Sequence, residues 1–89
     1  MANLGTFELD PTEDYIDLSE ATGISFTSGK TYILQIYGDI ILCENDTKPT
    51  KKFDGKRVID DERDFDCDGT TLWYKTFRNT EKVLINISD

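Results

Sequence analysis

Alternation with a period of two is the feature that most constrains this chain. In "TYILQIY" (31–37) Tyr32, Leu34 and Ile36 alternate with Ile33, Gln35 and Tyr37. That spacing puts successive side chains on opposite faces of a β-strand and matches no stripe on an α-helix. The residues are mostly β-branched or aromatic, the types that fit a pleated, half-buried surface. Gly38-Asp39 follows, then "IILCEN" (40–45). Two such runs joined by two residues, glycine first, predict a hairpin closed by a type II′ turn.

The C-terminal third repeats the pattern. "TLWYKTF" (71–77) and "KVLINIS" (82–88) flank "RNTE" and predict a second hairpin. Val83, Ile85 and Ile87 share the face expected to be core, with Leu84, Asn86 and Ser88 opposite. "YIDLSE" (15–20) and "GISFTS" (23–28) read as shorter strands, the alternative being a helix opened by Pro11 across "PTEDYIDLSEA". "KRVID" and "RDFDC" supply two more strands. Roughly seven or eight short strands, with turn signals about every 8–12 residues, predict an all-β fold. The expected architecture is a small antiparallel β-sandwich, jelly-roll or Greek-key like, forming a single domain over 1–89. Residues 1–10 are expected to form a flexible N-terminal arm, and "NDTKPTKKFDGK" (45–56) to be the longest loop.

Charge narrows the partners. The net charge of −8 repels phosphate backbones and anionic bilayers, which disfavours nucleic acid and membrane. No stretch is apolar enough to cross a bilayer and no secretory leader pattern opens the sequence, so synthesis in the cytoplasm is expected. Cys43 and Cys67 are the only cysteines and there is no histidine. Two thiols within strand-like runs suit reduced, small residues, and structural zinc would lack ligands. A mimic of nucleic-acid charge is disfavoured because Lys48, Lys51, Lys52, Lys56 and Arg57 interrupt the acids. The stretches 8–20 and 60–68 are strongly acidic, a segregation that suits docking between copies as well as simple solvation.

"DDERDFDCDGTTLWYK" (60–75) looks most like a chemical motif. An EF-hand loop starting at Asp64 would need a bidentate glutamate at its twelfth position, which is Lys75, so that reading fails. Two readings remain. On a strand, Asp64, Asp66 and Asp68 share a solvent face while Phe65 and Cys67 turn inward. Around a sharp turn at Gly69, the three aspartates form a calcium site, the only cofactor the sequence suggests. The strand reading takes precedence, since an acidic edge also discourages unwanted strand addition. Catalysis has little to stand on: without histidine there is no Ser-His-Asp or Cys-His arrangement, and "TSGK" (27–30) lacks the first glycine of a phosphate-binding loop. Trp73, Tyr74, Tyr32 and Tyr37 offer the aromatic rings of a sugar-stacking platform. Packing logic instead sends Trp73 and Phe77 to the core, with Tyr74 and Tyr37 partly exposed.

From Thr27 to Ile87 the layout resembles the small all-β structural proteins of tailed bacteriophages, the head-decorating, fibre-base and tail-associated modules. The resemblance lies in "SGKTYILQIYGDIILCEN", a loop with "KPT", "GKRVI", an aspartate-rich turn, "TLWYKT" and "KVLINI". Gly29 before Tyr32, Gln35 in mid-strand, Pro49 after the first run, and Leu72-Trp73 opening the penultimate strand carry it. It implies a non-enzymatic virion component that associates with itself, as a homotrimer or other symmetric oligomer, and with a capsid or tail protein. No fibrous repeat is present, which favours a cap, plug or decoration over a fibre. Lys48, Lys51, Lys52, Tyr37 and Tyr74 are then the expected interface residues. A carbohydrate- or calcium-binding sandwich module using Asp64, Asp66, Asp68 and Trp73 is the alternative.

Overall fold

The computed structural model describes residues 2–89. The strands are β1 (Asn3–Leu9), β2 (Ile16–Asp17), β3 (Thr31–Tyr37), β4 (Asp39–Glu44), β5 (Lys56–Ile59), β6 (Glu62–Asp66), β7 (Leu72–Thr76) and β8 (Val83–Ser88), with one helix, α1 (Leu18–Thr22), after β2. They form two four-stranded antiparallel sheets, ordered β1-β8-β3-β6 and β2-β7-β4-β5. The pairs β1–β8, β2–β7, β3–β6 and β4–β5 nest inside one another along the chain, as in one long folded hairpin. Pairing of β3 with β8 and of β4 with β7 rolls that hairpin up. This is the jelly-roll form of the expected β-sandwich.

Both predicted hairpins are corrected. β3 and β4 do not pair, and neither do β7 and β8; each turn carries the chain from one sheet to the other. Gly38, at φ 130°, takes the first crossing, and Asp60, at φ 43°, takes the return from β5 to β6. The crossings brace each other: the Gly38 N–H donates to Asp60 Oδ1 at 2.7 Å and the Asp60 N–H to Gly38 O at 2.9 Å. Alternation fixes which face of a strand is buried, but two facing sheets satisfy that demand as well as one flat hairpin.

Three further stretches differ from expectation. The stretch read as a mobile arm holds β1, paired with β8 from Asn3↔Ser88 to Leu9↔Val83. Leu9 is buried and Phe7 packs against the core. The segment 15–20 is strand only at Ile16–Asp17 and then turns into α1, so the helical alternative is partly realised. Asp17 caps the helix by accepting from the Ser19 N–H at 2.9 Å, and Gly23, in left-handed conformation, closes it. "GISFTS" is not a strand, yet Ile24 and Phe26 pack on the core. The Phe26 ring meets Tyr32 and Phe65 edge-on at 4.9 and 5.2 Å.

Between the sheets lie Tyr32, Leu34 and Ile36 of β3, Phe65 of β6, and Val83, Ile85 and Ile87 of β8. From the other side come Ile40, Val58, Leu72 and Tyr74. The odd face of β8 is therefore core, as expected. In β7 the expected parity is reversed: Tyr74 is 2% exposed inside the core, whereas Trp73 is half-buried on the outer face. Tyr74 is thus no interface residue. Cys67 is buried in the core and Cys43 half-buried on the outer face, both as free thiols.

Candidate functional site: two oppositely charged faces

The outward faces of the two sheets lie on opposite sides of the molecule and differ in charge. On the first sheet, β6 turns Phe65 inward, which sends Glu62, Asp64 and Asp66 out. They sit across from Gln35, Ile33 and Thr31 of β3. Asp66 Oδ1 accepts from the Thr31 hydroxyl at 2.7 Å. Asp68 lies beyond the strand and accepts from the Thr70 N–H at 2.9 Å, closing the turn at Gly69. Among the described residues, Glu62, Asp64 and Asp66 form no ion pair. Tyr37, 54% exposed, and Leu84 form a directly opposed pair on the same face.

The structure does not bring the three aspartates together around a cation. Alternate residues of a strand are about 7 Å apart, while a calcium ion holds its oxygens at about 2.3–2.6 Å. No group of three acidic or cysteine side chains among the described residues converges as metal ligands would. Nor does a sugar platform assemble: Tyr32 and Tyr74 are buried, and the Trp73 indole N–H is tied to Asn45 O at 2.9 Å.

The second sheet's outer face is covered by the loop between β4 and β5. Ile41, Cys43, Trp73, Lys75 and Arg57 point outward here, since Ile40, Leu42, Tyr74 and Val58 fill the core or pack against it. Buried Tyr15 and Pro49 close over them. The loop is held by an ion pair from Lys48 to Asp14 and by Phe53 stacked on Phe77 with ring centroids 6.0 Å apart. Gly55 lets it return close to β4, for a β-carbon there would stand 2.5 Å from Leu42 O. Arg57 forks onto Asp39 at 2.9 and 2.6 Å and lays its guanidinium 3.7 Å over the Phe77 ring.

This side therefore concentrates cations on an acidic protein. Lys48 and Arg57 are paired internally, but Lys51, Lys52, Lys75 and Arg78 have no ion-pair partner among the described residues. The sequence pointed to Lys48, Lys51 and Lys52. It missed Lys75, whose place in a strand-like run gave no hint that the loop would fold over it. It also missed Arg78, hidden in a presumed hairpin turn. A separate crevice of about 430 Å³ opens between edge strands β5 and β6, floored by Leu34, Leu42 and Phe65 and rimmed by Glu44, Lys56 and Arg63.

The paired carboxylates add a small, solvent-screened contribution to stability that acid removes. Lys48 beside Asp14, Arg57 beside Asp39 and Lys30 beside Asp89 hold those carboxyls below their ordinary value of 3.8. A depressed folded pKa gives stability that is present above the ordinary value and is lost as pH falls through the folded one. Glu44 has the opposite sign: partial burial first, then Asp68 and Asp66, push its carboxyl up. Its charge costs stability at neutral pH, and that cost disappears as pH falls through its raised value. Thermal melts should show a decline below about pH 4. Glu44→Gln should raise stability at pH 7 by only about 0.2–0.5 kcal/mol, because solvent screens an exposed carboxylate, with no gain at pH 3. A gain that persists in acid would contradict this assignment.

Comparison with known protein families, curated proteins and solved structures finds no match to this chain.

Proposed function

We propose that this chain is a non-enzymatic structural module that assembles with copies of itself and docks on a larger protein lattice, as a virion decoration or tail-associated protein does. The observation that carries the reading is the segregation of charge onto opposite faces of one jelly roll. An acidic face with Glu62, Asp64 and Asp66 unpaired is complementary to the cationic side of a second copy around Lys51, Lys52 and Arg78. Contact between two different faces is heterologous, so it closes into a ring when the rotation allows, and a homotrimer is the simplest such ring. The jelly roll is one of the folds that viral capsid proteins use, although lectins and cupins use it too, and fold alone assigns no function. Placement on a bacteriophage particle rests on the sequence stretches quoted above.

The double variant Asp64→Asn, Asp66→Asn tests the docking face. Both side chains point to solvent, so folding should be retained. Sedimentation should show self-association weakened by about tenfold or more, since losing close charge pairs across an interface costs upwards of about 1.5 kcal/mol. An unchanged oligomer would overturn the assignment of this face.

A further inference from the structure

We propose that the groove beside Lys75 is a binding site for a phosphate group, carried by a small ligand. This does not rest on self-assembly, but it shares Lys52 and Arg78 with the proposed docking side, so phosphate should compete with a second copy there. Lys75 stands on the outer face of β7, opposite Ile41, and is only 3% exposed. Lysine is almost never buried to that extent without a partner, because an isolated charge is costly to remove from water. Yet Lys75 has no ion pair among the described residues, and its ammonium lies 5.9 Å from the centroid of the Phe53 ring. Among the described residues no fully sealed side-chain nitrogen or oxygen lacks a hydrogen-bond partner, so the Lys75 ammonium keeps a trace of solvent contact, and Lys75 lines two grooves.

The larger of these, about 540 Å³, is lined also by Lys52, Arg78, Thr80 and Asn79. Its single carboxylate, Glu13, already accepts from Asn79 Nδ2 at 2.6 Å. Lys52, Lys75 and Arg78 stand against Glu13, engaged by Asn79, and the nearby Asp14, engaged by Lys48, which leaves a surplus of positive charge on a chain of net −8. Three separate cationic groups suit the several oxygens of a phosphate better than the two of a carboxylate. An arginine fork beside compact ammonium groups is also a common way to hold phosphate oxygens. The groove is larger than a bare ion, which leaves room for the rest of a phosphate ester along Phe77.

The test is titration with inorganic phosphate at constant ionic strength, followed by NMR of the Phe77–Thr80 amides, with acetate and chloride as comparison anions. Saturable phosphate shifts, weaker for acetate and absent for chloride, are expected. Lys75→Met keeps the packed stem without the charge, and should weaken phosphate binding by about 10- to 100-fold. In phosphate-free buffer its melting temperature should equal or exceed that of the parent, which a purely structural lysine would not predict. Arg78→Gln, at an exposed position, should weaken binding about tenfold and serves if the Lys75 variant does not fold. Tighter binding of glycerol phosphate than of inorganic phosphate assigns the groove to an ester; equal binding assigns it to the free ion. Linear, unsaturated shifts, identical responses to all anions, or binding unaffected in both variants would overturn the proposal.

Discussion

Tyr74→Ala is expected to cost about 3–5 kcal/mol, against a total stability for such a domain of about 5–15 kcal/mol. Tyr74 is 2% exposed and projects from β7, which pairs with β2 on one side and β4 on the other. Neighbours fixed in two sheets collapse poorly into the space it would leave. Trp73→Ala removes a larger side chain, yet should cost only about 1–2 kcal/mol, chiefly packing and one hydrogen bond to Asn45. Urea unfolding of both variants reads the inward face of β7 directly. A larger loss for Trp73→Ala would mean that the strand faces the other way.

Gly55→Ala is the second large effect. Its β-carbon would stand 2.5 Å from Leu42 O and 2.8 Å from Ile41 Cγ2. The first of these is backbone held in the β4 ladder, so the loop must lift instead. Lifting it opens the small outer core of Tyr15, Ile41, Pro49 and the Lys75 stem. A cost of about 2–3 kcal/mol is expected from overpacking, with faster proteolysis within residues 45–55. A variant as stable as the parent would show that the loop does not sit against the sheet.

The strands themselves were largely legible, because alternation in 31–37 and 83–87 reports directly on a two-sided environment. Strand partners were not. Gly38-Asp39 has the composition of a tight hairpin, but the same backbone freedom serves a crossing between sheets, and only the buried stripes on both sides of the interior decide between them. The first ten residues carried too weak an alternation to reveal an edge strand whose hydrogen bonds come from the far end of the chain. At the site, the outward aspartates Asp64 and Asp66 followed from Phe65 turning inward. Lys75 and Arg78 did not, since their importance depends on a loop around Phe53 folding back over the sheet from far along the chain, a contact that no local pattern records.

Light scattering on a sizing column, across a range of salt concentrations, tests self-assembly through opposite faces most directly. A closed oligomer at low ionic strength, a trimer in the simplest case, should dissociate as salt rises toward about 1 M, where the screening length is about 3 Å. A strictly monomeric protein at every salt concentration would contradict it.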